Sequence, residues 1–368
     1  MDRSNASDRA DVPLRLSELD THGLLALGFL GIMEYERGQL RAAEVLAAEG
    51  LKIARHRGWA RSAQANLVHL VLAMVFIERN RLGEAQRALD PCWSARHDVL
   101  TPAVRIAVNV AQARLDLAGG RARRAKTVLT QLRSSVETSE PPVLTRRWLT
   151  LTEAEADLAT GRASAALERV RSFPHAALGS PEALSVIGAR AELALGNPAQ
   201  AESILAPVRE RSSNPVVGAE AWLVTALAAD RGGQDHAALV ALDCALSLGE
   251  QQDALRPFLA SDRGRLETML RHRQRLGTGR RAFIDNLMAE IGTSEDIPAS
   301  RSRLISPLTP REHMVLRHLA TTQSNEEIGE ELYISINTVK AHAKSVYQKL
   351  SVSRRGEAVT KARALGLL

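Results

Sequence analysis

The chain has 368 residues, of which 45 % are hydrophobic and only 3 % aromatic, and it carries a formal net charge of +6. Such a chain is too long for one ordinary domain and long enough to bury a substantial core. A bias towards Ala, Leu and Arg suits packed helices better than sheets rich in aromatic and β-branched residues. We therefore expect two or more units and an all-α fold.

Several functional classes find no support in the sequence. Cys92 and Cys244 lie far apart, near no His or Cys at ligand spacing, so neither a disulfide framework nor a zinc site is indicated. Residues 1–13 are polar and are expected to form a disordered tail, and every apolar run is shorter than the about 18 residues of a membrane span. We expect a cytoplasmic protein without membrane contact. No catalytic or nucleotide-binding motif is present, so we expect no enzyme activity and no cofactor.

A six-residue pattern recurs through the first 250 residues. It reads GQLRAA at 38, NRLGEA at 80, GRARRA at 120, GRASAA at 161, GNPAQA at 196 and GQDHAA at 233. Every copy has Ala five residues after its first position, and the copies begin 35 to 42 residues apart. This period is typical of paired-helix solenoids.

Apolar helical patterns lie on both sides of each copy, such as LLALGFLGIMEYER before the first and AEVLAAEGLKIA after it. The Gly or Asn at the start tolerates the left-handed conformation that closes a helix, and the Ala permits close approach of the second helix. Stacked hairpins then form a continuous core and a curved inner surface. The region 14–291 resembles tetratricopeptide-type repeats with longer, irregular spacing. It is expected to bind a ligand or a protein, or to serve as a structural spacer.

The charge is distributed unevenly along the chain. Residues 301–368 contain 11 Lys and Arg against 6 Glu and no Asp, a net charge of +5, whereas the first 300 residues carry only +1. Between the two regions, residues 292–307 contain Gly, Ser and Pro without periodicity and are predicted to be a linker. A small basic unit at 308–368 is typical of a nucleic-acid-binding module, and a solvated basic surface is the other interpretation.

Four short helices are predicted in this basic unit. A capping box at Thr309 and Glu312 predicts a first helix that ends near residue 320, and a second box at Ser324 and Glu327 predicts a helix that ends near residue 333. The third helix is expected over 336–350, and a short fourth begins near residue 354. Together they form a small bundle.

The third helix separates its side chains onto two faces, at about 100° per residue. The apolar stripe, expected to face the bundle, consists of Val339, Ala343, Val346 and Leu350. The opposite face presents two cations, two amides and one small residue, namely Lys340, Lys344, Asn337, Gln348 and Ala341. Such a face suits a DNA major groove.

Over its whole length the unit resembles the LuxR-type helix-turn-helix domain, through the blocks LTPRE, SNEEI, ISINTVKAH and YQKL. In that family the second and third helices form the helix-turn-helix, the third enters the major groove, and the fourth helps to pair two domains. One departure is that His313 and Met314 follow Glu312, where the family usually has a second acidic residue.

The resemblance implies contacts with double-stranded DNA at six positions. Lys340, Ala341 and Lys344 match groove-facing positions, and Thr338 and Lys349 match positions expected to meet the phosphate backbone, with Asn337 assisting. A homodimer on DNA, with half-sites about one helical turn apart, is implied as well, and RNA polymerase is a further implied partner.

Helical repeats followed by this domain are similar to the carboxy-terminal half of MalT-like regulators, the large ATP-dependent members of the family. The chain has no G-x-x-x-x-G-K-[ST] segment, so the ATP switch is not carried over, and the chain is either a shortened regulator or a piece of a larger one. We predict a sequence-specific transcriptional regulator whose repeats sense a small molecule or a protein. The alternative is a protein-interaction scaffold with tetratricopeptide-like repeats, whose terminal domain does not bind DNA specifically.

Overall fold

The structure is a computed structural model. It describes residues 8–94, 101–136, 142–173, 182–277, 279–293 and 310–364, the last range without 322, 333, 350, 351 and 353. Within these ranges the regular structure is helical throughout, which confirms the predicted all-α fold. Contacts divide the chain into two compact units, Met1–Ile291 and Gly292–Leu368. Among the described helices none has the length and apolar character that crossing a membrane requires.

The first unit, the repeat unit, is built from helical hairpins followed by shorter closing helices. Its described α-helices are α1 (Asp8–Glu36), α2 (Leu40–His56), α3 (Asn66–Glu78), α4 (Leu82–Ser94), α5 (Pro102–Ala118), α6 (Ala122–Val136), α7 (Val143–Ala159), α8 (Ala163–Arg171), α9 (Glu182–Ala194), α10 (Pro198–Arg211), α11 (Pro215–Arg231), α12 (Asp235–Gln252), α13 (Arg256–Leu259), α14 (Arg263–Arg275) and α15 (Arg281–Thr293).

The predicted tail, residues 1–13, lies partly outside the described residues. Residues 1–7 are not described, and α1 begins at Asp8.

The six predicted turns close α1, α3, α5, α7, α9 and α11. The first residue of each turn has a left-handed φ, between +57° at Asn80 and +88° at Gly196. In the third turn, the Gly120 N–H donates to the Leu117 carbonyl at 3.1 Å and the next N–H to the Asp116 carbonyl at 2.8 Å. The other five turns repeat these two bonds, which satisfy carbonyls at the helix end. The predicted hairpins are therefore confirmed at all six positions.

The alanine of each turn pattern packs where the two helices of a hairpin approach closely. All six are at most 2 % exposed; they are Ala43, Ala85, Ala125, Ala166, Ala201 and Ala238. The first helices of successive hairpins also contact one another, α1 with α3, α3 with α5, and so on to α11. This stacking makes them the inner layer of a solenoid and buries α3 on nearly every side.

The two ends of the solenoid meet through a set of hydrogen bonds that we call the clasp. Its bonds join Leu255 N to Glu78 O at 3.0 Å, Arg79 Nε to Gln252 O at 3.2 Å, Asn214 Nδ2 to Glu36 O at 2.9 Å and Asn80 Nδ2 to Glu290 Oε2 at 2.6 Å. Since these pairs connect the first two hairpins with the last helices of the unit, the superhelix closes on itself.

The second unit contains α16 (Pro310–Leu319), α17 (Asn325–Glu331), α18 (Ile336–Lys349) and α19 (Arg355–Ala364). The predicted capping box of α17 is present: the Ser324 N–H donates to the Glu327 carboxylate at 2.6 Å, and the Glu327 N–H donates to the Ser324 hydroxyl at 3.3 Å. The box predicted for α16 involves Thr309, which lies outside the described residues, as does most of the predicted linker 292–307.

Candidate nucleic-acid interface

A tight turn fixes the direction of α18 relative to α17. The Ile334 N–H donates to the Gly329 carbonyl at 2.9 Å, and a Cβ atom at position 329 would lie only 2.8 Å from the carbonyl oxygen of Ile334. Ser335 then caps α18, because its hydroxyl accepts the Thr338 N–H at 3.2 Å. The turn therefore depends on glycine inside α17.

The buried face of α18 agrees with the predicted stripe. Val339 and Val346 are fully buried and Ala343 is 5 % exposed, whereas Leu350 lies outside the described residues. Their neighbours come from all three other helices and include Val315, Leu316, Ile328 and Ala358. The stripe thus sets the rotation of α18 and decides which side chains face outward.

A buried carboxylate on α16 holds the carboxy-terminal half of α18. Glu312 is 5 % exposed, and it accepts hydrogen bonds from the Ser345 hydroxyl at 2.7 Å and from the Lys349 ammonium at 2.7 Å. The Lys349 side chain is only 19 % exposed. The structure thus gives Lys349 a packing role that the sequence did not predict, and its contact with phosphate stays a prediction.

The outward face of α18 presents the remaining predicted site residues. Asn337, Lys340, Ala341 and Lys344 are exposed. Thr338 is half-buried, and its hydroxyl lies 2.8 Å from that of Ser335.

The charges on this face have no counterpart among the described residues. Within the described part of the chain, neither Lys340 nor Lys344 forms an ion pair. Like charges four residues apart on a helix destabilise it by about 0.2 to 0.5 kcal/mol. An anionic partner would remove this repulsion, so the face is electrostatically incomplete in the isolated chain.

An arginine that sequence reasoning missed ties α19 to the bundle. The Arg355 side chain donates to the Leu319 and Thr321 carbonyls, each at 2.9 Å, and so satisfies the carboxy-terminal end of α16. Burial raises the pKa of the nearby Tyr347, and the Arg355 charge opposes that shift. Of the missed residues, Gly329 had a visible signal, a lone glycine within a predicted helix; Arg355 and Ser345 had none.

Among the described residues, no three His, Cys, Asp or Glu side chains are grouped so that they could hold a metal ion. The arrangement can act through positive charge and hydrogen bonding on one helix.

Comparison with known proteins assigns both units to families. Residues 13–270 match the family model described as the MalT-like TPR region, and residues 306–362 match the model described as bacterial regulatory proteins, luxR family. The HTH-type transcriptional regulator MalT of Vibrio cholerae serotype O1 is 32 % identical over 204 residues, which cover 48 % of this chain and 22 % of the relative.

Proteins of the same name from Yersinia pestis and Yersinia pseudotuberculosis are 36 % identical over 94 residues, 26 % of this chain and 10 % of theirs. The matches thus span less than a quarter of the length of these relatives. A solved structure entitled "Crystal Structure of the Apo Form of RapI" aligns with 93 % of this chain and 98 % of its own, at 10 % identity and a TM-score of 0.38. Because the repeat model covers more than half of the chain, the protein belongs to the family with a MalT-like TPR region, and its second unit carries a luxR-family helix-turn-helix domain.

Proposed function

We propose that the protein is a sequence-specific, DNA-binding transcriptional regulator in which α18 enters the major groove and the repeats receive a small-molecule or protein signal. The observation that carries this proposal is the pair Lys340 and Lys344, exposed one turn apart without an ion pair in the described part of the chain. Ala341 lies between them and lets the helix approach a groove closely.

The roles of the side chains follow from their positions. Lys340 and Lys344 donate to base edges, and Asn337 offers an amide near the start of the helix. Thr338 contacts phosphate near the amino-terminal end of α18, where free N–H groups favour an anion. Lys349 adds positive charge while Glu312 holds it in place.

The proposal includes a homodimer on double-stranded DNA, RNA polymerase as a further partner, a cytoplasmic location, and no enzyme activity or cofactor. The family assignments support regulation of transcription, and the exposed face of α18 supports direct contact with DNA.

The test begins with selection of bound duplexes from a random pool, followed by affinity measurements on the selected sequence. Lys340→Ala and Lys344→Ala should each weaken binding by about 1 to 3 kcal/mol if the contact is to a base edge. A matched control, the Lys52→Ala, Lys126→Ala double variant, removes two positive charges from the repeat unit and should leave affinity unchanged. Enrichment of a two-fold motif would support the dimer.

Two other outcomes discriminate further. A loss spread evenly over all sequences, with a shallower salt dependence, would assign the lysines to phosphates rather than to bases. Unchanged affinity in the Lys340→Ala, Lys344→Ala double variant, or no enrichment with the wild-type chain, would favour the scaffold alternative.

A further inference from the structure

The repeat unit contains a cavity of about 120 Å³ that is partly open to solvent. Its wall comes mainly from the inner helices, α1, α3, α5, α7, α9 and α11, and from α13. The clasp residues Glu36, Glu78 and Asn214 belong to this wall, so the closure of the superhelix is what encloses the space.

The wall is charged but electrically balanced, with four arginines and four glutamates. Three pairs are complete within the protein: Arg114 with Glu78 at 2.6 Å, Arg190 with Glu220 at 2.7 Å, and Arg147 with Glu36. The Tyr35 hydroxyl also donates to Glu78 at 2.9 Å. These six side chains are therefore part of the wall itself and are not free to bind a ligand by ionic contact.

The fourth arginine and the fourth glutamate, Arg256 and Glu155, act on each other electrostatically but are not in direct contact. Among the described residues neither has a hydrogen bond or an ion pair, although both line the cavity and are half-buried. Burial lowers the pKa of Arg256 to about 10, against the opposing effect of Glu155 and Glu78. Charged groups that are partly buried without a hydrogen-bonded partner are costly, so a ligand that bonds to Arg256 and Glu155 would be stabilised in this cavity.

The sequence indicates that this charge pattern is not a requirement of the solenoid. Arg114, Glu155 and Arg190 each stand six residues before the turn glycine of their hairpin, in three successive hairpins. The same position is apolar in the other three hairpins. At this position, charged residues are thus confined to the third, fourth and fifth hairpins.

Apolar side chains form much of the remaining wall, including Leu151, Ile187, Val217 and the ring of Trp148. A concave site that combines apolar surface with convergent polar groups is typical of small-molecule binding. Since the charges of the wall cancel, a ligand with a net charge would leave Arg256 or Glu155 without a partner.

We propose that this cavity binds a small zwitterion with an apolar body, namely an apolar amino acid or a short peptide of such residues, whose carboxylate meets Arg256 and whose ammonium group meets Glu155. The inference rests on the part of the proposed function that gives the repeats a ligand, and it does not depend on DNA binding.

The test is calorimetric titration of the full chain with leucine, dileucine and trileucine, each also in an N-acetylated and a C-amidated form. We expect at least one uncapped probe to bind, and each cap to weaken its binding roughly tenfold or more, since it leaves one buried charge unpaired. Comparison of the three lengths separates a free amino acid from a peptide.

Variants then assign the two ends. Glu155→Gln should weaken binding of the uncapped probe, but it should not change the affinity for the N-acetylated probe, which already lacks the ammonium group. Likewise, Arg256→Gln should weaken binding of the uncapped probe and should not change the affinity for the C-amidated probe. Glu49→Gln, which alters an exposed carboxylate paired with Lys52, is the matched control and should bind as the wild type does.

Failure of all three uncapped probes to bind, or equal binding of capped and uncapped forms, would overturn the proposal. The capped probes are used on the wild-type chain, so this result stands even if a variant does not fold. Because the titration contains no DNA, its outcome is independent of whether α18 binds an operator.

Discussion

The repeat unit and α18 use positive charge in opposite ways. In the repeat unit, arginines meet buried carboxylates, as Arg162 and Arg169 do at Asp157. On α18, Lys340 and Lys344 meet no carboxylate within the described residues. The planar guanidinium can hold a carboxylate through two bonds, whereas lysine is a flexible point charge. A charged side chain that is paired within the chain stabilises the fold. A charged side chain without such a pair predicts a binding partner outside the chain.

The residue types follow the same division. Of the six lysines in the sequence, four lie at or beyond position 340, and the remaining two are Lys52 and Lys126. The repeat unit therefore obtains nearly all of its positive charge from arginine, which suits a solenoid whose layers are joined by ion pairs.

The largest loss of stability is expected from removing a buried carboxylate that is paired with arginine. Asp157→Ala leaves Arg162 without its buried acceptor and removes one of the two buried carboxylates that Arg169 binds. It should lower the unfolding free energy of the repeat unit by about 3 kcal/mol. All four tryptophans precede residue 223, so tryptophan fluorescence in urea reads this unit. Lys340→Ala is the control and should change the unfolding free energy by less than about 0.5 kcal/mol. Equal losses in the two variants would contradict the proposed difference between paired arginines and unpaired lysines.

The second unit also contains an ion pair that holds its helices together, Lys349 with Glu312. Glu312→Gln weakens two charge-assisted hydrogen bonds to α18 and should destabilise this unit by about 2 kcal/mol. Faster hydrogen exchange of the α18 amides in the full chain would show it. Glu330→Gln, on the exposed side of α17, is the control. Unchanged exchange in the Glu312 variant would mean that Lys349 is held by other contacts.

A smaller loss of stability is expected from changing the turn between α17 and α18. This change tests whether DNA binding by the two lysines depends on the orientation of α18. Gly329→Ala forces a Cβ to within 2.8 Å of the Ile334 carbonyl and should cost about 1 to 2 kcal/mol, with weaker DNA binding although both lysines remain. Gly356→Ala on α19 meets open space and should be tolerated. Full DNA affinity in the first variant would show that α18 does not need this turn.

The smallest effect on stability is expected from His69, an imidazole that is buried in its neutral form. His69 Nε2 donates to the Ala60 carbonyl at 2.8 Å, its Nδ1 has no partner in the described structure, and burial lowers the pKa of His69. The unfolded chain therefore takes up the proton first, so stability should be full above about pH 6.5 and should fall as the pH drops towards the lower folded pKa. Urea titrations at about pH 7.5 and about pH 5.5 should show a larger loss for the wild type than for His69→Gln.

Local patterns predicted the local structure well. The glycine or asparagine of each turn, the buried alanine five residues later and the capping box at Ser324 all follow from neighbours in sequence, and they are present. The apolar stripe of α18 is also confirmed where it is described. These features depend on backbone conformation and helical periodicity, which a single segment contains in full.

Contacts between distant segments could not be predicted in the same way. Lys349 was expected at the DNA because nothing near it in sequence shows that Glu312, 37 residues earlier, would bind it. The cavity is an intermediate case, since the charged position six residues before three of the turns is visible in the sequence once the repeats are aligned. Only the structure shows that these charges face the same space and that Arg256 joins them.

The clasp has a consequence for how the repeat unit folds. Most solenoid contacts connect neighbours in sequence and form early, whereas the side-chain bonds of the clasp join residues 173 to 210 positions apart. Closing so long a loop is slow until the intervening hairpins have shortened it. Ring closure should therefore be the last folding step, and it couples the first hairpin to the last, so that the unit unfolds as one cooperative body rather than fraying from its ends.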